Sequence, residues 1–149
     1  MPRSSRGDSI AWKTEAIALA RTLSEKKGEA VVILDIRKES PLADFLLVAT
    51  VLSRPHMRTL EAALDEKAGS LGLRPLHRSR PASDRWQVLD FGSIIVHLMS
   101  EEARGFYAVE KLYPGSKRLR WEPRNIGGRE KRDVLKRTSA ALRLPSSTL

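Results

Sequence analysis

The stretch "RWQVLDFGSIIVHLM", Arg85 to Met99, decides the fold. Two runs, "RWQVLDF" (85–91) and "SIIVHLM" (93–99), flank Gly92. Runs rich in β-branched and aromatic residues around a glycine predict a β-hairpin. Alternation puts Trp86 with Val88 on one face of the first strand and Leu89 with Phe91 on the other. On the second strand His97 shares a face with Ile95 and Met99. One face must cover a core, and apolar residues left on the other make a surface patch near the turn.

Outward from the hairpin the pattern is α-β-β-α-β-β-β-α. Ser9 is placed to cap a first helix over about 10–27, with Ile17, Ala20 and Leu23 at helical spacing and Gly28 closing it. "AVVILDI" (30–36) and "DFLLVATVL" (44–52) read as buried strands. Ser53 caps a second helix with Pro55 in its first turn, where a missing N–H costs little. Its stripe is Met57, Leu60, Leu64, Ala68 and Leu71, and Gly72 ends it. "LRPLHR" (73–78) predicts a short strand, edge-like because of Pro75. Ser100 caps a third helix, with Glu101 and Glu102 in its positive first turn, running to about Tyr113. Arg104, Tyr107 and Lys111 then fall on one of its faces. The fold class is α/β, a mixed sheet of about five strands flanked by helices.

The 149 residues suit one domain. Residues 1–12 and 13–113 each carry net +1, whereas 114–149 carry +7. The organisation expected is a flexible N-terminal arm (1–12), a near-neutral body (13–113) and a basic C-terminal extension (114–149). With no cysteine there is no disulfide framework or thiol nucleophile. The longest notable uncharged run, Phe45–Ser53, is far short of the roughly 20 residues that span a bilayer. A soluble cytoplasmic protein with no membrane contact is expected.

Catalytic motifs are absent. There is no phosphate-binding glycine loop, no HExxH and no GxSxG. His56, His77 and His97 lack ligand spacing, so neither a metal nor another cofactor is expected. Asp35, Asp44 and Asp90 lie at predicted strand ends. They would be the Mg²⁺ ligands of a nucleotidyltransferase-like enzyme, but capping and turn roles explain each of them more simply.

The stretches "VVILDIRKESPLADFLLVAT", "GLRPLH", "RWQVLDFGSIIVHLM" and "EEARGFYAVEKLY", in this order and spacing, resemble the ribosomal silencing factor (Iojap-related) family. The resemblance covers about Glu15 to Tyr113. It implies a fold related to nucleotidyltransferases but without their active-site motif. It implies binding to the large ribosomal subunit through ribosomal protein L fourteen, where the factor obstructs small-subunit joining and represses translation. A role in the stress response and a homodimer off the ribosome go with this reading. The family's hairpin tryptophan falls on Trp86, its turn aspartate and glycine on Asp90 and Gly92, and its strand histidine on His97.

The leading reading is a non-enzymatic translational repressor. Its ribosomal-protein dock is expected at Trp86, Leu89, Asp90, Phe91, Arg104, Tyr107 and Lys111. The extension is expected to contact ribosomal RNA phosphates through Lys117, Arg118, Arg120, Lys131 and Arg132, and its deletion to leave the body folded. The alternatives are the Mg-dependent enzyme and a generic RNA-binding module.

Overall fold

The computed structural model describes residues 6–78 and 85–123. Helix α1 (Arg6–Glu25) leads into β1 (Glu29–Asp35) and β2 (Phe45–Val51), followed by α2 (Arg54–Ser70), β3 (His77–Arg78), β4 (Trp86–Asp90), β5 (Ile94–Ser100), α3 (Glu101–Tyr107) and β6 (Lys117–Leu119). The strands form one mixed sheet in the order β3-β4-β5-β2-β1-β6. Only β2 and β5 run parallel, joined by a crossover through α2; the other pairs are antiparallel.

The local signals explain most of these elements. The Ser53 hydroxyl accepts from the His56 N–H at 3.1 Å, and Pro55 occupies the first turn of α2. The Ser100 hydroxyl caps α3 in the same way, accepting from the Ala103 N–H at 3.1 Å. The α2 stripe of Met57, Leu60, Leu64 and Ala68 is buried, each leucine contributing about 1.5–3 kcal/mol over an exposed one. With Ala16, Leu19 and Leu23 of α1 it packs on Ile33, Phe45, Leu47, Leu89, Ile94, Val96 and Leu98, forming the larger core. A smaller core on the opposite face gathers Leu34, Leu46, Val48, Met99, Ala103 and Val109 under α3.

Four expectations need correction. Helix α1 starts at Arg6, inside the stretch read as a flexible arm, and Trp12 packs against the larger core. Its C-terminal positive φ belongs to Lys27 (73°). Gly28 is required instead by close approach, since a Cβ there would sit 2.8 Å from the Leu23 carbonyl oxygen.

The third helix stops at Tyr107. Ala108 turns left-handed (φ 46°, ψ 52°) and a 3₁₀ turn over Val109–Leu112 follows. The bend swings Val109 into the smaller core and takes Lys111 off the face of Tyr107.

The basic extension does not begin outside the body. Residues 117–119 are a sixth strand, pairing Leu119 with Ile33, Arg118 with Leu34 and Lys117 with Asp35. Trp121 then packs against the larger core, and its indole N–H donates to the Val31 carbonyl at 2.8 Å. Arg21 of α1 donates to the Trp121 carbonyl, also at 2.8 Å. Residues 117–121 therefore clasp β1 to α1.

Candidate functional site

The hairpin forms as expected. Phe91 N–H donates to the Ile94 carbonyl at 2.8 Å, and the Asp90 carboxylate accepts from the Gly92 N–H at 2.7 Å, with Gly92 at φ +93°. The alternation is also as expected, but the two faces have different fates. Leu89 and Phe91 lie buried beneath α1 and α2, so neither is an interface residue. Trp86, Val88 and Asp90 point to the opposite face and are half-buried.

That face is covered only in part. Helix α3 has seven residues and shields the Ser100 end of the sheet. Where it stops, an open groove of about 510 Å³ is lined by Arg85, Trp86, Glu102, Ala103, Phe106 and Tyr107. Three aromatic rings stand in sequence. Trp86 and Tyr107 have centroids 4.6 Å apart at 43°, and Tyr107 meets Phe106 edge-on at 4.9 Å. Exposure increases outward along this row, from the half-buried Trp86 to Tyr107 at 53% and Phe106 at 83%. An exposed cluster of large apolar side chains makes this face a candidate partner surface.

Arg104 has another job. It donates to the Thr50 hydroxyl at 2.9 Å and forms an ion pair with Glu110. Its largely buried guanidinium thus ties α3 to β2 and to the 3₁₀ turn, and is not presented to a partner. Lys111 is exposed, beyond the left-handed break. Phe106 escaped the sequence reading because it is out of step with the Arg104–Tyr107–Lys111 stripe. The signal available was a large apolar residue on a short helix whose inward position is taken by Ala103.

Behind the aromatic row sits His97. Its ring Nδ1 accepts from the Trp86 indole N–H at 2.9 Å, with ring centroids 5.8 Å apart. Accepting at Nδ1 makes the imidazole neutral, with its proton on Nε2. Burial lowers its pKa from 6.5 to about 4, so the neutral form persists at physiological pH.

Of the three acids of the enzymatic alternative, Asp35 and Asp90 have carboxylates engaged structurally. Asp35 accepts two hydrogen bonds from the Arg37 guanidinium, at 2.9 and 2.6 Å, and the side-chain bond to Arg37 holds its pKa below the usual carboxylate value. Asp90 closes the hairpin turn. Asp44 is buried beside Ser93, whose carbonyl accepts its backbone N–H. Among the described residues no group of three histidine or acidic side chains could hold a metal ion. No described helix is long and apolar enough to cross a membrane.

Of the proposed phosphate contacts, Lys117 and Arg118 are exposed on β6 and Arg120 directly follows it. Lys131 and Arg132 lie outside the described residues.

Comparison with known proteins places these features in context. The family model described as "Ribosomal silencing factor during starvation" matches residues 10–144, which takes in most of the basic extension. A ribosomal silencing factor of Treponema pallidum is 40% identical over 100 residues, covering 66% of this chain and 88% of the relative. One from Halalkalibacterium halodurans is 29% identical over 100 residues, covering 66% and 86%. Among solved structures, a Bacillus halodurans protein superposes with TM-score 0.60 at 28% identity, over 71% of this chain and 99% of that one. A Chromobacterium violaceum protein superposes with TM-score 0.65 at 24% identity, over 77% and 92%, a likeness of fold.

Proposed function

Because the chain belongs to the ribosomal silencing factor family, we propose that it silences translation by docking on ribosomal protein L fourteen of the large subunit and sterically blocking small-subunit joining. The observation that carries the docking site is the aromatic row of Trp86, Tyr107 and Phe106 at the end of α3. Steric exclusion needs no catalytic group, and the turn and ion-pair roles of Asp90 and Asp35 favour this non-catalytic reading over the Mg-dependent enzyme.

The test is co-sedimentation with purified large subunits. Truncation of a hot-spot aromatic costs about 2 kcal/mol or more, roughly thirtyfold in affinity. Trp86→Ala and Phe106→Ala should each weaken binding while the far-ultraviolet circular dichroism spectrum is kept. Normal binding by both folded variants would move the dock elsewhere.

A second contact is supported by the cationic edge of β6, which presents Lys117, Arg118 and the adjacent Arg120. Phosphate neutralisation releases counterions, so each lost contact should flatten the salt dependence of binding by about 0.7–0.9 in log–log slope. Replacing all three by Gln tests this without removing the strand, and an unchanged slope rules the edge out as an RNA contact.

A further inference from the structure

We infer that His97 is a positioning residue for the docking surface: by accepting the Trp86 indole N–H, it holds Trp86 in the orientation in which it meets Tyr107, the ring against which Phe106 packs edge-on. This deepens the docking reading above and rests on it.

The geometry carries the inference. His97 and Trp86 lie on adjacent antiparallel strands, two pairs apart in register and so on the same face: Trp86 faces Met99 and Val88 faces His97. The indole N–H lies 2.9 Å from Nδ1. A tryptophan side chain has two free torsions. Packing of one ring edge leaves it able to swing, and a directed hydrogen bond to a strand-borne acceptor removes that freedom. The same indole meets Tyr107 at 4.6 Å between ring centroids, and Tyr107 meets Phe106 at 4.9 Å. Tyr107 is itself held because Arg104 anchors α3 to Thr50 and Glu110. The inner part of the row is thus held from both elements, Trp86 directly by His97 and the helix that carries Tyr107 by Arg104.

Burial supports the same role. A neutral imidazole accepts at Nδ1 and an imidazolium does not, and the buried site favours the neutral ring. A purely space-filling role would require no acceptor at that position. Pre-organising a contact surface improves affinity by removing the ordering cost of binding.

The experiment compares His97→Leu, His97→Asn, Trp86→Phe and Trp86→Ala. Asn places its Oδ1 near the position of Nδ1 and restores an acceptor. The readouts are affinity for purified large subunits and the Trp86 indole N–H resonance in a ¹⁵N correlation spectrum of the free protein. His97→Leu should weaken binding about five- to tenfold, the range set by one hydrogen bond, and shift the indole resonance upfield. His97→Asn should return both readouts towards the parent values. Trp86→Phe keeps a ring and leaves His97 in place, so it reports even if His97→Leu fails to fold. It should weaken binding, and adding His97→Asn to it should cost nothing more.

Parent-like binding by Trp86→Phe or by folded His97→Leu, alongside weak binding by Trp86→Ala, overturns the positioning role and leaves the dock intact. Equal weakening in His97→Leu and His97→Asn with an unmoved indole resonance also overturns it. Normal binding by Trp86→Ala overturns the dock itself, and the positioning role falls with it.

Discussion

Substituting Trp121 by Ala tests whether the start of the basic extension belongs to the folded body. The indole donates to the Val31 carbonyl at 2.8 Å and packs half-buried against the larger core. Losing one hydrogen bond at a sheet edge, where water partly replaces it, costs about 0.5–1 kcal/mol. A fully buried large apolar side chain contributes about 1.5–3 kcal/mol, so a half-buried one contributes about 1–1.5. The two together predict a loss of about 2 kcal/mol. In a chain of this size each kcal/mol moves the midpoint by about 2–4 °C, so Tm should fall by about 4–8 °C. The Arg21 bond to the Trp121 backbone carbonyl is untouched by the substitution itself, and its loss would add to the figure if the segment peels away. The assay is thermal and urea unfolding followed at 222 nm, because tryptophan emission changes with the mutation itself. A chain ending after residue 113 should lose at least as much relative to one ending after residue 123, since it lacks β6 as well. If Trp121→Ala shifts stability by less than about 0.5 kcal/mol, and the two truncations unfold together, the clasp contributes nothing and the boundary at 113/114 stands.

Ala108 sits left-handed at φ 46°, where an L-residue is strained by about 1–2 kcal/mol; Ala108→Gly should raise Tm by a few degrees, and a decrease would contradict this backbone assignment. His56 joins two loops, accepting from the Leu52 N–H and contacting the Lys26 carbonyl through its other ring nitrogen, both at 2.9 Å. His56→Leu should cost about 1–3 kcal/mol in urea unfolding, and an unchanged midpoint would remove that joint. With its pKa lowered from 6.5 to about 4, His97 binds fewer protons folded than unfolded between those values. Its contribution, at most about 3 kcal/mol, is present above pH 6.5 and is lost as pH falls to about 4. His97→Leu should therefore flatten the stability–pH curve in that window, and an unaltered slope would refute the depressed pKa.

How much was legible in the sequence follows from the range of each interaction. The Ser53 and Ser100 caps are settled by atoms three residues apart, and both form where the sequence places them. The strands over 30–36, 44–52, 85–91 and 93–99 were legible as β-branched runs, to within a residue or two of the observed ends. Alternation also paired the residues of β4 correctly by face. It could not say which face α1 and α2 would close, so Leu89 and Phe91 were read as contacts when they are core. Ala108 is a strong helix former and carries no stop signal; burial of Val109 overrides its propensity. Strand β6 was illegible for the opposite reason. "KRLR" has one apolar residue, and its anchor is a bond between Trp121 and Val31 across 90 positions. That bond is why removing 114–149 should cost the body stability, where the charge pattern alone led to the expectation of a dispensable extension.

The two edges of the sheet narrow where a protein partner can bind. Among the described residues strand β3 spans two positions, and its Arg78 is ion-paired to Asp65 of α2. Strand β6 is three residues long and carries Lys117 and Arg118. Short, cationic edges resist strand addition, because a new strand gains few hydrogen bonds and must desolvate charge. One sheet face is sealed by α1 and α2. Among the described residues, what remains is the other face at the point where α3 stops after seven residues, with Val88, Ile95 and His97 half-buried and the aromatic row at its border. The left-handed turn at Ala108 ends α3 immediately after Tyr107 and carries Val109 into the smaller core, and Phe106 and Tyr107 face solvent on the helix's last turn. One residue therefore sets where α3, the carrier of the proposed docking surface, ends. Extending α3 through position 108 would withdraw Val109 from the smaller core, while Ala108→Gly, which favours the break, should preserve subunit binding as it stabilises the fold.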